Sequence, residues 1–349
     1  MELATEKQNM LDVMLRPAFW VADGIIRHIN PSAAALMLPL GAPIAPFLAT
    51  GQEDYASFRE GCLHLQLCIA EQHVDARILQ LENGQLFLPD LQGTREHLQL
   101  LNLAATQLRE PLAGLVAISE QFPADTNSKY ANHANHRLYQ MLRIIGNMSD
   151  AQRFSDPARC HMEYTDICSF LEEVLEKADT FMAHIGIQIH RSIPSESIYT
   201  LLDREQVERS VYNLLSNAAK FGASNKEIAV QLTKRGQRLY VSVLSKGNSA
   251  GNTGNFYARF LREPSLEDPT QGIGLGMVMI RSTAINHGGT VLIDHPENDA
   301  TRVTMTLAIR QGTDTTLRSP VFRIDYAGER DHALLELADI LPAELYTRE

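Results

Sequence analysis

Three polar residues on one face of an otherwise apolar segment are the first sign of chemistry in this chain. Asn213, Asn217 and Lys220 stand at i, i+4 and i+7 within REQVERSVYNLLSNAAKFG, so an α-helix brings them to one side. Leu214, Leu215, Ala218 and Phe221 supply the apolar stripe. Asparagine disfavours a helix interior because its amide competes for backbone groups, so two on one face call for a purpose; a solvated face is the plain alternative. A second constellation, Gly272-Ile273-Gly274-Leu275-Gly276, opens a helix that ends at His287-Gly288-Gly289. Glycines there let backbone amides approach phosphate oxygens where a helix start is already partly positive. A dinucleotide fingerprint would need a buried strand immediately before the glycines. Leu266 to Gln271 read as loop instead, and that reading is rejected.

The elements that must position these residues follow from periodicity. From Asp166 the pattern is α/β: a helix (ICSFLEEVLEKADTFMAHI), a strand (IQIHRSI), the helix carrying Asn213, and strands at 227–233 and 238–244. A Gly-, Asn- and Ser-rich loop covers 246–254, the glycine segment and its helix span 272–287, and strands at 290–294 and 302–309 complete the unit. Upstream, Leu98, Leu101, Ala105, Leu108, Leu112, Leu115, Ser119 and Phe122 step by threes and fours, an a/d seam of helices packed side by side. After the polar, turn-rich PADTNSKYANHAN, residues Leu138, Met141, Ile145 and Met148 mark a second amphipathic helix to about Phe154. Two such helices form an antiparallel hairpin, and pairing with a second copy as a four-helix bundle would bury the seam. Near the N-terminus, apolar runs flank Ala22-Asp23-Gly24 and again Glu82-Asn83-Gly84, both hairpin signals. Asn30-Pro31-Ser32 begins a short helical run. A small mixed α+β domain is expected over about 10–92, and one amphipathic segment near 331–341 lies in the tail.

The chain has 349 residues, a length that favours two or three domains. Its 44% hydrophobic and 21% charged content describes a globular protein. A formal net charge of -11 argues against a general nucleic-acid binder. Cys62, Cys68, Cys160 and Cys168 form no C-x-x-C pair and read as reduced, packed thiols of a cytoplasmic protein. MELATEKQNM is too polar for a signal peptide. The uncharged stretch 31–50 is broken by prolines at 31, 39, 43 and 46, so no membrane anchor is expected.

In order, DREQVERSVYNLLSNAAKFG, FYARFLRE and QGIGLGMVMIRSTAINHGGTV resemble the N, F and G2 boxes of the ATP-binding domain of sensor histidine kinases. LNLAATQLREPLAGL and residues 138–165 look like that family's dimerisation helices, and RPAFWVADGIIRHINPSAAALM looks like the start of a PAS sensor domain. The resemblance spans about residues 12–310. It implies a multidomain α+β chain: a PAS-like domain (1–92), a helical hairpin dimerising as a four-helix bundle (93–160), a Bergerat-fold α/β sandwich (161–312) and a tail (313–349). By the same resemblance Asn217 is the magnesium ligand, Asn213 its companion and Lys220 a phosphate-facing lysine. Gly272, Gly274, Leu275 and Gly276 belong to the lid and phosphate loop, and Phe256, Arg259 and Phe260 pack the lid. ATP with magnesium is the implied cofactor. A homodimer with a response regulator or other signalling partner is the implied assembly. The ligand of the PAS-like segment is not legible, and His28 and His64 fit surface or core roles better than haem ligation.

Two departures change the expected function. The family's acceptor motif, His-Glu-Leu-Arg-x-Pro-Leu, aligns on Leu108, Arg109, Pro111 and Leu112, placing Thr106 at the histidine and Gln107 at the glutamate. Neither a ring nitrogen nor a carboxylate base remains there. His97 would lie half a rotation away on the helix, and His133 and His136 read as surface positions. In VSVLSKGNSA, Ser245, Gly247 and Ser249 stand where the family has Asp-x-Gly-x-Gly, whose aspartate accepts from the adenine amino group. Losing such a bond costs about 1.5–3 kcal/mol, so nucleotide binding is expected to be weakened and adenine selectivity to suffer most. The expectation is a pseudokinase that signals by conformation or docking; the alternative is an active kinase using a non-standard acceptor or a partner protein.

Overall fold

The computed structural model describes residues 5–90, 105, 108, 112, 115, 128–154, 156–222, 225–246, 275–296, 300–311 and 330–346. In the N-terminal α/β region, helix α1 (Thr5–Asp12) precedes β1 (Phe19–Ala22) and β2 (Ile25–Ile29). The turn between them puts Asp23 at φ 53 and Gly24 at φ 72, the left-handed pair that suits a two-residue hairpin. Asn30 organises this end. Buried, it accepts from the Ala18 and Ala33 amides, both at 2.9 Å, and donates to the Arg16 carbonyl at 2.8 Å. It thereby caps the 3-10 turn Pro31–Leu36. Helix α2 (Gln52–Ser57) and strands β3 (Cys62–Ile69), β4 (Gln72–Leu81) and β5 (Gly84–Pro89) complete the region. Phe19 stacks on Phe87 at 4.8 Å in a core shared with Ile26, Leu63, Leu65 and Ile78.

Helix α3 (Ser128–Phe154) leads into the C-terminal half. There follow β6 (Glu163–Asp166), α4 (Ile167–Met182), β7 (Gln188–Ser192), β8 (Tyr199–Leu202), α5 (Arg204–Phe221), β9 (Glu227–Arg235) and β10 (Arg238–Lys246). Helix α6 (Leu275–Asn286), β11 (Val291–Asp294), β12 (Ala300–Ala308) and the short α7 (His332–Glu336) complete the described elements. β6 and β8 pair by themselves, and β7 runs parallel to β9. Helices α4, α5 and α6 bury Leu171, Val174, Val211, Leu215 and Ile280 in one core with Val230, Val241, Met305 and Leu307 of the strands. Ala333, Leu337, Ala338 and Leu341 of the C-terminal segment belong to the same core.

One feature lies beyond the periodicity, and one sequence expectation needs correction. First, a single ten-stranded sheet runs through both halves in the order β2-β1-β5-β4-β3-β11-β12-β10-β9-β7. At the joint, β11 pairs antiparallel with β3, placing Val291 opposite His64 and Ile293 opposite Cys62. The physical reason is that each strand would otherwise leave a row of unpaired amides and carbonyls at an edge. Asp54 of α2 reinforces the joint: its buried carboxylate accepts from Arg238 (3.0 Å), Tyr240 (3.2 Å), Thr290 (2.6 Å) and Thr306 (3.1 Å). Secondly, residues 128–135 read as turn-rich connection but are helical. No glycine or proline interrupts Ser128–Ile145, and Asn135 and the adjacent His136 find partners on the C-terminal segment.

Of the predicted seam, the described residues 105, 108, 112 and 115 are helical. Ala105 and Leu112 are buried with Ile145, Met148 and Phe154, whereas Leu108 and Leu115 are about half exposed, at 49% and 52%. Among the described residues, all four cysteines are free thiols, and no helix is long and apolar enough to cross a membrane.

Candidate functional site

Helix α5 starts where the Asp203 side chain accepts from the Gln206 amide at 3.1 Å, and it ends at Gly222. Val207, Val211, Leu214 and Leu215 anchor it in the core. That anchoring turns Arg209, Asn213 and Lys220 towards α3 and the C-terminal segment. Asn213 is buried; its amide donates to the Arg209 carbonyl at 2.9 Å, and its oxygen accepts from Arg143 of α3 at 3.2 Å. Gly276, in the first turn of α6, lies so close that an added Cβ would come within 2.7 Å of that oxygen. A side chain at this position would have to push the Asn213 amide oxygen aside. Asn217 is half-buried on the same face.

Lys220 does not face open solvent. Its ammonium pairs with the Asp339 carboxylate of the C-terminal segment, and Arg143 pairs with the same oxygen. Burial, together with the nearby Arg143 guanidinium, lowers the Lys220 pKa from its ordinary value despite the attraction of Asp339. For Asp339 burial acts to raise the pKa, but Arg143 and Lys220 outweigh it and hold the carboxyl below its ordinary range. Behind this trio lies a second buried group. Glu336 accepts from Arg209 Nε at 2.7 Å and approaches Arg143 Nε at 3.5 Å, while Arg209 also meets Asp150 and donates to Asn147 at 3.0 Å. Arg209 and Glu336 are both fully buried, at 0% exposure.

The structure places Asn213 against Arg143 and Gly276, and Lys220 against the Asp339 carboxylate that Arg143 also meets. Ser245 lies beside the C-terminal end of α5, buried on β10 against Gly222, where an added Cβ would strike its hydroxyl and approach its Cβ to 2.9 Å. Leu275 is buried in the cluster with Met148, Phe154 and Met279. His136, read as a surface position, is half-buried: it stacks on Tyr346 at 4.7 Å and meets the Ala338 carbonyl at 2.7 Å. His133 is exposed, as read. His97, Thr106, Gln107, Gly247, Ser249, Phe256, Arg259, Phe260, Gly272 and Gly274 lie outside the described residues. Sequence reasoning missed Arg143, Arg209, Glu336 and Asp339. Arg209 was within reach, since it stands four residues before Asn213 on the same face, and Glu336 and Asp339 share the i, i+3 spacing of one helix face.

An amide pair, an ammonium and a glycine-bearing helix start form a donor set suited to phosphate oxygens and a hard cation. Among the described residues, no group of three or more His, Cys, Asp or Glu gathers as a metal centre. Residues 202–311 match the model of the histidine kinase-, DNA gyrase B- and HSP90-like ATPases, which places a HATPase domain within the C-terminal half. Over a longer stretch the chain is similar to sensor histidine kinases. It is 27% identical over 245 residues to the adaptive-response sensory kinase SasA of Synechococcus sp. (strain CC9902), covering 67% of this chain and 64% of that protein. To the sensor histidine kinase YcbM of Bacillus subtilis (strain 168) it is 23% identical, over 66% of this chain and 77% of the relative. The chain thus spans a little under two thirds of SasA. Among solved structures, full-length ShkA in complex with AMPPNP matches with a TM-score of 0.50 at 18% identity, covering 61% of this chain and 46% of that one; this likeness speaks for the fold alone.

Proposed function

We propose that this chain is a two-component-type signalling protein that keeps the phosphate-binding half of a kinase site and has lost its own phosphoacceptor. The observation that carries the reading is a contrast between positions kept and positions lost around α5. On α5 and the start of α6, Asn213, Asn217, Lys220 and Gly276 keep a donor set suited to phosphate. On β10, Ser245 stands where the family resemblance calls for the adenine-selecting aspartate. Thr106 and Gln107 add the second loss, a hydroxyl and a neutral amide where a ring nitrogen and a base are needed.

In this reading residues 1–92 are a PAS-like sensor, 93–160 a dimerisation hairpin, 161–312 the ATP-binding domain and 313–349 a tail. Asn217 carries magnesium, and Gly247, Gly272 and Gly274 complete the nucleotide contacts. Exposed Leu108, Leu115, Met141 and Ile144 favour a second copy packing on the hairpin, since an apolar seam left in water is costly. A response regulator or another signalling protein is the partner, as befits a chain whose relatives are sensor kinases.

Calorimetric titration of the full chain with MgATP and MgGTP tests the nucleotide half. With no acidic acceptor for the adenine amino group, the two should bind within about tenfold of each other. Asn217→Ala should weaken both alike. A preference for ATP above about a hundredfold, or titrations unaffected by Asn217→Ala, would contradict the reading.

A further inference from the structure

The C-terminal segment brings a carboxylate to the cations assigned above to phosphate. Asp339 meets Lys220 and Arg143 through one oxygen, and Arg143 in turn holds the Asn213 amide. Two cations converging on one carboxylate oxygen are an anion site, and a phosphate oxygen would need the same donors. A second anion cannot join without repulsion in a place where water does little to screen it.

The segment is seated by several independent contacts. Ala333, Leu337, Ala338 and Leu341 are buried in the core with α4 and α5. The Ala338 carbonyl meets His136 at 2.7 Å and accepts from Gln140 at 3.2 Å, and Tyr346 packs against both His136 and Tyr139. These contacts to α3 make the helix that carries Arg143 and the segment that carries Asp339 one unit over the face of α5.

We infer that residues 330–346 act as a built-in competitor for the nucleotide, with the Asp339 carboxylate standing in for a phosphate oxygen. The inference rests on the assignment of Lys220 as phosphate-facing. Its consequence is regulatory: nucleotide enters when Asp339 leaves Lys220 and Arg143, and whatever moves α3 relative to α5 shifts that exchange. Signal and site would then be coupled through the same ion pairs.

The test compares MgATP binding to the full-length wild type and Asp339→Asn, which keeps the shape and removes the charge. Alongside it, hydrogen exchange of residues 330–346 in the wild type is followed with and without saturating MgATP. The expected result is at least about tenfold tighter binding by Asp339→Asn, lost again when Asn217→Ala is added, with faster exchange in 330–346 on nucleotide addition. Equal affinity of the two proteins would overturn the competition while leaving the nucleotide site in place. Failure of both to bind at millimolar MgATP would overturn the site assignment and the competition together. Should Asp339→Asn fail to fold, the wild-type exchange experiment decides: protection of 330–346 unaltered by bound nucleotide refutes the inference.

Discussion

Glu336 offers a direct test of how firmly the C-terminal segment is built into the ATPase half. Its carboxylate is fully buried between two guanidiniums, 2.7 Å from Arg209 Nε and 3.5 Å from Arg143 Nε. Glu336→Ala leaves Arg209 with Asp150 and Asn147, and Arg143 with Asp339 and Asn213, one negative charge short in a site that excludes water. Removing one partner of a buried ion pair costs about 3–5 kcal/mol. That is a large share of the 5–15 kcal/mol that keeps a typical domain folded. For a unit of about 150–250 residues each kcal/mol moves the melting temperature by about 2–4 °C, so a fall of about 6–20 °C is expected. Circular dichroism or calorimetric melting of the full chain would measure it. Glu336→Gln should fall between, because its oxygen still accepts from Arg209 while the charge is gone. The pair Arg209→Met with Glu336→Leu should recover much of the loss, since it removes one buried charge of each sign while Asp150 keeps Arg153 and Arg143 keeps Asp339. If Glu336→Ala melts within about 1 °C of the wild type, the segment does not sit where the structure places it, and the buried ion network falls with it.

Acid should loosen the fold before it protonates the carboxylates. Burial, together with Arg281 and Arg77, holds His64 well below its ordinary value, and burial lowers His287, whose Nε2 accepts from the Asp203 amide at 2.9 Å. The unfolded chain therefore takes up these protons first: stability is complete above about pH 6.5 and falls below it by up to about 1.4 kcal/mol per pH unit for each histidine. Asp339, with its lowered pKa, adds a second loss only as the pH falls below about 4, through and beyond the ordinary carboxylate range. Urea unfolding at several pH values would show both windows, and a flat profile between about pH 7.5 and 5 would exclude the histidine contribution. At the joint between the halves, Asp54→Ala strips Arg238 and three hydroxyls of their shared acceptor. Arg238 keeps Glu53 at 3.4 Å, so the cost should lie near about 3 kcal/mol, read as faster hydrogen exchange along β11 than along β9. Uniform exchange in both strands would mean that Asp54 does not hold the joint. Burial pushes the Cys62 thiol up to about 11, so Cys62 should resist alkylation at neutral pH in the folded protein, and rapid modification there would contradict its packing.

Local grammar made much of this fold legible. Asp23-Gly24 announced the first hairpin, and the helix bearing Asn213 could be read from its apolar stripe and its terminal glycine. The turn between β3 and β4 gave no such sign, because Ala70 and Glu71 adopt φ 48 and φ 64 without a glycine. The pairing of β3 with β11 was beyond reach, since alternation marks a strand's buried face but not its neighbour. Polar composition hid the first turns of α3, whose His136 and Gln140 face a segment roughly two hundred residues further along, as their 202- and 198-residue separations from Ala338 show. Half the site was readable for the same reason. Asn213, Asn217 and Lys220 share one helix face, whereas Arg143, which meets Asn213, and Asp339, which meets Lys220, come from distant segments whose convergence only tertiary structure reveals.

Phosphate incorporation from γ-labelled ATP tests the central claim most directly. The full chain, with magnesium and nucleotide near saturation, should acquire no covalent label, because Thr106 and Gln107 offer neither a nucleophilic nitrogen nor a base to activate one. Replacing the pair by histidine and glutamate is the positive control for the transfer geometry. Stable label on Thr106 or on any histidine of the unmodified protein would show a working kinase and contradict the account.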